Sequence, residues 1–318
     1  MPKPSGCVPY SVKDFILQGE TRLGQSDLAY GHGTDNPRDE AAWLVGRTLG
    51  LAPHELDAHR DRVLTLAEQT AVRQIIDTRI TTRKPAAYLL KEAWFARLRF
   101  YVDERVIVPR SLMGELILDA FQPWVATDGV HRVLDLCSGS GCIAIAAALA
   151  FPQAHVDATD ISADALAVAR INVAGHHLEH RVRIIESDLY AALAGERYDL
   201  ILSNPPYVDA IDMAGLPLEY RHEPPLALAS GASGLDAIVR ILAAAAAHLQ
   251  PGGILVAEVG NSCVALQERF ATVPFTWLTT ASGDDSVFML TVEELVRYQP
   301  LFAAGSDHPA EENNNSKR

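Results

Sequence analysis

Cysteine is scarce in this chain, with four in 318 residues, and Cys7, Cys137, Cys142 and Cys263 show none of the paired spacing of metal ligands. No metal site and no disulfide framework are therefore expected, and the four are read as reduced thiols. The sequence also lacks any uncharged apolar run of about eighteen residues, the length that a membrane span needs. Its start, Met1 to Tyr10, lacks the apolar segment of a secretion signal. These absences predict a cytoplasmic protein with no membrane partner. Positive charge is short as well: 27 Lys+Arg against 40 Asp+Glu give a net charge of −13. A general nucleic-acid binder would need the opposite balance to release counterions from phosphates. No internal repeat is present.

Apolar residues are plentiful, at 48% of 318 residues, enough for a large core and two domains. Residues 11–90 lack strand-like runs; Ser11 to Leu28, Asn36 to Leu49 and Leu66 to Thr82 carry apolar residues at helical spacing, with Asn36-Pro37 as a cap and first helical position. Residues 1–92 are thus expected to form a small helical domain for substrate recognition. Alternation across Phe95, Leu98, Phe100, Val102, Val106 and Val108 predicts a hairpin linker over 93–110. From Arg79 to Arg110 eight Lys/Arg face three acids, so this segment is +5 and the rest −18. It reads either as a solvated helix end with a hairpin or as a recognition surface that could touch RNA, while the acidic remainder suits a basic protein partner.

Beyond Gly129 strands and helices alternate over a second domain, 111–298. Strands are expected near Arg132–Leu136, His155–Thr159, Val182–Glu186, Asp199–Ser203 and Gly253–Val259, with helices at Gly141–Ala150, Ala163–Ala174, Gly234–Leu249 and Ser262–Phe270. This is the pattern of an α/β doubly wound parallel sheet. Phe275–Thr279 and Val287–Thr291 then flank Ala281-Ser282-Gly283-Asp284-Asp285 with no helix between. That adds an antiparallel edge, which class I methyltransferases have and dehydrogenase Rossmann folds generally lack. Residues 299–318, polar from about Gly305, are expected to form a disordered tail.

Two motifs carry chemistry. Asn204-Pro205-Pro206-Tyr207 follows the apolar run Tyr198–Ser203, at a strand's carboxyl end, where open α/β sheets bind ligands. Two prolines remove two N–H donors and leave backbone carbonyls free to accept, Asn204 adds a side-chain acceptor, and Tyr207 adds an aromatic wall. Such a loop suits a planar –NH2 group. Upstream, Asp135-Leu136-Cys137-Ser138-Gly139-Ser140-Gly141 contains the glycines of G-x-G-x-x-G/A, completed by Ala144, and Asp160 follows nineteen residues after Gly141. Taken alone, this pattern indicates adenosine and leaves NAD, flavin and S-adenosylmethionine (SAM) open. Three features favour SAM. Asp135 at the loop entrance would repel a pyrophosphate but suit an ammonium, Asp188 in Ser187-Asp188-Leu189 suits an adenine amino group, and the Asn204 loop lies beside the same crevice.

This set of motifs resembles the HemK-type protein-(glutamine-N5) methyltransferases, from the N-terminal helices to Leu290. Tyr101–Ser111 and Glu219–Pro224 look like the branch that methylates large-subunit ribosomal protein L-three. The sister branch, acting on peptide-chain release factors, typically continues Pro-Arg with Pro-Glu-Thr-Glu, whereas here Ser111-Leu112-Met113-Gly114-Glu115 follows. The general methyltransferase pattern has glycine where Cys137 stands. The resemblance implies a class I SAM-dependent methyltransferase fold, Rossmann-like, with a seven-stranded mixed sheet and an antiparallel terminal hairpin, preceded by a small helical domain. It implies a catalytic loop of Asn204, Pro205, Pro206 and Tyr207. SAM would be held by Asp135, Cys137, Ser138, Gly139, Ser140, Gly141, Asp160, Asp188, Leu189 and Asn204. The expected substrate is L-three, free or in assembly intermediates. A release factor is the alternative substrate; DNA adenine is a further one, disfavoured by the charge. His222, in Arg221-His222-Glu223, is read as part of an ion-pair cluster in preference to a base.

Overall fold

The computed structural model describes residues 10–280, 283 and 285–306. Cys7, most of the start and part of the 281–285 connection lie outside the described residues. The chain divides into two compact units, residues 1–93 with 217–222, and residues 94–216 with 223–318.

The first unit is helical: α1 (Val12–Gly24), α2 (Pro37–Thr48), α3 (Leu56–His59), α4 (Leu66–Thr82) and α5 (Ala86–Leu90). The starts are set by side-chain caps. Ser11 and Asp14 form a capping box on α1, Thr65 and Glu68 one on α4, and the Asn36 side chain accepts from Asp39 N with Pro37 opening α2. Phe15, Leu23, Leu44, Val72 and Ile76 fill the core. Gly19 lets α1 and α2 close up, since a Cβ there would lie 3.1 Å from the Ala41 Cβ. The segment 217–222 belongs to this unit through Glu219, which is buried and lies 3.0 Å from Arg83 and 3.6 Å from buried Arg79. Arg79 in turn donates to Glu40 at 2.7 Å. Nothing in the local sequence around Glu219 announces this pairing.

A two-stranded sheet, β1 (Ala93–Phe95) and β2 (Leu98–Phe100), joined by Ala96 and Arg97, both at positive φ, starts at Ala93, the last residue of the first unit's 1–93 segment, and otherwise belongs to the second unit. The strands stop there, so the expected hairpin over 93–110 is shorter than its alternation suggests. Val102, Val106 and Val108 are buried without strand pairing. Carboxylates take their neighbouring backbone donors instead: Asp103 accepts from Arg105 N at 3.1 Å and Glu223 from Val108 N at 2.9 Å. Then follow α6 (Met113–Leu118), β3 (Arg132–Leu136), α7 (Cys142–Ala150), β4 (His155–Asp160), α8 (Ala163–Gly175), β5 (Val182–Glu186) and β6 (Tyr198–Ser203). The unit continues with α9 (Ala210–Gly215), α10 (Asp236–Ala245), β7 (Leu249–Glu258), α11 (Cys263–Arg269), β8 (Thr276–Leu278), β9 (Val287–Thr291) and α12 (Val292–Ser306).

The main sheet has seven strands in the order β5-β4-β3-β6-β7-β9-β8. Pairs from β5 to β7 are parallel; β9 runs antiparallel to β7 and β8. This is the mixed sheet with a terminal antiparallel pair that the sequence predicts. Successive residues of the central strands face two separate cores, Leu200 and Leu202 one, Ile201 the other. Burial on both faces makes Leu200-Ile201-Leu202 of β6 and Ile254-Leu255-Val256-Ala257 of β7 unbroken apolar runs, which is why these strands are so visible in the sequence.

One expected boundary needs correction. Residues 299–306 are not a tail but the end of α12, and Phe302 is fully buried, its ring 5.2 Å edge-on from Phe270. Thr291 and Glu294 start the helix by reciprocal bonds, Thr291 N to Glu294 Oε2 at 2.8 Å and Glu294 N to Thr291 Oγ1 at 3.3 Å. Residues 307–318 lie outside the described residues.

Candidate active site

The carboxyl ends of β3, β4, β5 and β6 lie side by side, since Leu136 pairs with Thr159 and Ser203, and Asp160 with Glu186. Asp135 lies within β3 and Asp160 ends β4, and the other sequence-predicted site residues fall on the loops leaving these strand ends. The first loop turns sharply: φ is +60° at Cys137, +54° at Gly139 and +77° at Gly141. The positive φ at Cys137 explains why glycine is the usual residue there. At Gly141 the turn also presses on α8, where a Cβ would meet the Ala169 Cβ at 3.2 Å.

Asp160 braces this loop. Its Oδ2 accepts from Gly139 N and its Oδ1 from Ser162 N, both at 2.9 Å. Burial raises its pKa above the usual carboxylate range while these backbone donors pull it back. Asp135 is fully buried; Oδ2 accepts from Ala144 N at 3.0 Å in the first turn of α7, and Oδ1 is enclosed with no hydrogen-bond partner. Burial pushes its carboxyl up to about 8. Ser138 N donates to the Thr159 carbonyl at 2.9 Å, and the Ser140 carbonyl accepts from Asn172 Nδ2 at 2.9 Å.

A cavity of about 270 Å³ opens here, at the small end of small-molecule sites. Cys137, Gly139, Asp160, Asp188, Leu189, Asn204 and Pro206 line it. Asp135, Ser138, Ser140, Gly141, Pro205 and Tyr207 do not line it. Asp135, Ser138 and Ser140 are buried in or behind the loop, where they shape the wall. Asp188 on the rim is paired with Arg240 at 2.8 Å, both side chains about half exposed, so one of its oxygens is engaged.

In the fourth loop Asn204 Oδ1 is buried and has no hydrogen-bond partner. An enclosed acceptor with no donor is costly, and this one sits on a residue lining the cavity. Tyr207 turns away from the cavity. Its carbonyl accepts from Ser262 Oγ at 2.8 Å, and its hydroxyl lies 3.5 Å from Oε1 of Glu258, a buried acid whose pKa is raised by burial.

Several wall residues were not singled out from sequence. Arg105 and Ile107 come from the segment before α6, and Pro224, Leu226 and Ser230 from the stretch after Glu223. Their conformation is set by two ion pairs. Arg105 grips Asp103 through Nε–Oδ1 at 2.8 Å and Nη2–Oδ2 at 2.6 Å, holding that carboxyl at about 2. Arg110 reaches Glu223 Oε2 at 2.7 Å. The only sequence signal was that both segments carried family-like motifs. His222 belongs to neither site nor ion pair: its Nε2 bonds the Thr82 carbonyl at 3.0 Å, and Glu223 pairs with Arg110 instead. In the basic segment Arg79, Arg83, Arg105 and Arg110 are held in ion pairs, which favours its structural reading. Among the described residues no three His, Cys, Asp or Glu are grouped to hold a metal ion.

Comparison with known proteins gives matches over both units. Residues 22–90 match the PrmC N-terminal domain and residues 115–215 the methyltransferase small domain. A ribosomal protein uL3 glutamine methyltransferase of Burkholderia pseudomallei is 50% identical over 90% of this chain and 95% of its own. Its namesake in Neisseria meningitidis serogroup B is 48% identical over 90% of this chain and 94% of its own. Among solved structures, a T. thermophilus 16S rRNA N2 G1207 methyltransferase in complex with AdoMet and guanosine is 21% identical. It covers 63% of this chain and 49% of its own, with a TM-score of 0.43.

Proposed function

This chain belongs to the family of ribosomal protein uL3 glutamine methyltransferases, and on that premise we propose that it transfers a methyl group from SAM to the side-chain amide nitrogen of a glutamine in uL3, within the cavity at the carboxyl ends of β3 to β6. The observation that supports this most is the buried, partnerless Asn204 Oδ1 of the cavity wall. A glutamine amide brings the N–H donor that this oxygen lacks.

An amide nitrogen is a poor nucleophile because its lone pair is delocalised into the carbonyl. Asn204 Oδ1, accepting one N–H group, would orient the nitrogen and stabilise positive charge as it develops there, and the proposed acceptor for the second N–H is the carbonyl of Pro205, a residue that does not itself line the cavity. Pro205 and Pro206 have no N–H to compete for these acceptors. SAM, when bound, supplies a methyl group on a sulfonium sulfur, a good leaving group. Transfer of that methyl to the nitrogen would leave the carbon–sulfur electron pair on sulfur and release one N–H proton, while Asn204 Oδ1 would hold the nitrogen in place. Asp160 would accept from ribose hydroxyls and the remaining oxygen of Asp188 from the adenine amino group, with Cys137 to Gly139 allowing close backbone approach. Asp135, buried behind the loop and bonded to Ala144 N, would support that loop from below and not contact the cofactor itself.

The uL3 substrate is preferred over the release factor or DNA adenine because both named relatives are uL3 enzymes and the net charge is −13. Free uL3 or an early assembly intermediate is the expected form, since RNA would cover the glutamine later. Exposed cations occur in both parts of the basic segment, Lys91 in the first unit and Arg97 and Arg99 in the second, and these would meet an RNA backbone. No described helix is long and apolar enough to cross a membrane, and the cytoplasm is where such a substrate would be met. Incubating the purified protein with uL3 and labelled SAM tests the reading. The expected product carries one methyl on a glutamine of uL3; labelling of a release factor or of DNA adenine, with none of uL3, overturns it.

A further inference from the structure

Tyr207 does not line the cavity, although it completes the tetrapeptide whose first residue does. What surrounds it is unusually close. A Cβ at Gly260 would lie 2.4 Å from Tyr207 Cε2 and 2.7 Å from Cζ, so the ring rests on a bare backbone. A Cβ at Gly234 would lie 2.3 Å from the Tyr207 carbonyl oxygen and 2.2 Å from Ser262 Oγ. That same serine hydroxyl donates to the carbonyl at 2.8 Å. Both glycines have positive φ, +46° at Gly260 and +73° at Gly234. Glu258, 3.5 Å from the tyrosine hydroxyl, is itself fixed by Ser111 Oγ at 2.5 Å and Leu112 N at 3.0 Å.

We propose that Gly234, Gly260 and Ser262 form a socket that clamps Tyr207, and that Gly260 and Ser262 are thereby positioning residues for methyl transfer. The proposal rests on the role given above to Asn204. A cavity-facing acceptor can direct a nitrogen only if its backbone does not drift, and Asn204 is followed by two rigid prolines and then by Tyr207. Fixing the tyrosine at ring and carbonyl fixes the far end of that short, stiff loop. Misplacement by about 1 Å can cost on the order of a hundredfold in rate. None of the three socket residues lines the cavity, so the socket acts on turnover and leaves cofactor affinity alone.

The test is a double-mutant cycle in the full chain, with kcat measured on uL3 and SAM affinity by titration. Methyl transfer by the unaltered protein tests the functional reading separately. Gly260→Ala is expected to lower kcat about tenfold or more in the native background and less than about twofold when Tyr207→Ala has already removed the ring, with SAM affinity unchanged throughout. An equal loss in both backgrounds, or affinity falling in step with kcat, overturns the proposal. If Gly260→Ala does not fold, Ser262→Ala decides: kcat reduced about threefold or more at unchanged SAM affinity supports the socket, and native kcat refutes it.

Discussion

Asp160 and Asn204 divide the site between binding and chemistry, and substitutions should separate the two. Asp160→Ala removes the proposed ribose acceptor and also releases Gly139 N and Ser162 N, which its oxygens hold at 2.9 Å. SAM affinity is expected to fall by about 1–3 kcal/mol in isothermal titration; native affinity would place the cofactor elsewhere. Asn204→Ala should instead lower kcat by about a hundredfold or more, with a smaller loss of SAM affinity than Asp160→Ala, as when one acceptor or donor acting on the reacting group is lost. Near-native turnover in that variant would sink the mechanism. Asp135 gives a pH signature. Its folded pKa, raised to about 8 by burial, exceeds the unfolded value, so the folded state binds the extra proton. Its favourable contribution is complete below about pH 4 and disappears as pH rises toward 8. Asp135→Asn lacks this titration. In cofactor-free protein, the melting temperature of the variant relative to native should therefore climb from pH 5 to pH 8, and a flat difference would show that Asp135 is not protonated in the fold.

At the level of elements, α12 shows what a missed cap costs a sequence reading. Thr291-Val292-Glu293-Glu294 has the spacing of a capping box, and Val292, Leu295 and Phe302 are buried along the helix that follows. The polar residues beyond Gly305 masked that signal. Phe302→Ala should cost about 3–5 kcal/mol in denaturant unfolding, as for other large buried aromatic side chains. A cost under about 1 kcal/mol would mean that the end of α12 does not contribute to the core. Strands β6 and β7 were legible for the opposite reason: burial on both faces leaves Leu200-Ile201-Leu202 and Ile254-Leu255-Val256-Ala257 without a polar interruption. The 93–110 linker misled because burial alone produces alternation, even where side chains such as Glu223 take the backbone donors that a partner strand would take.

For the whole molecule, charge is the informative quantity. A protein of net charge −13 acting on a ribosomal protein, whose own surface must neutralise RNA phosphates, should draw its substrate electrostatically. Over about 50 to 300 mM salt, kcat/KM for uL3 is expected to fall several-fold while SAM affinity changes little. Salt-independent kcat/KM would show that docking is carried by apolar contact. On the proposed reading, in which RNA covers the glutamine after assembly, mature large subunits should be poor acceptors.

The sequence by itself determined the order of the candidate site residues: a glycine loop after the first strand of the main sheet, Asp160 at the end of the second, Asp188 after the third, Asn204 after the fourth. Each of these signals is local, a few residues of fixed spacing at the end of an apolar run. Parallel pairing then brings the four strand ends together, as the Leu136–Thr159 and Leu136–Ser203 partners show. Only the tertiary structure decided which of these side chains face the cavity, that Asp135 lies beneath the loop, and that Tyr207 turns onto Gly260. It alone decided that Arg105 and the residues after Glu223 build the far wall. Those outcomes depend on contacts between residues distant along the chain, such as Arg110 with Glu223 and Ser262 with Tyr207, and no spacing along one strand encodes a pairing with another.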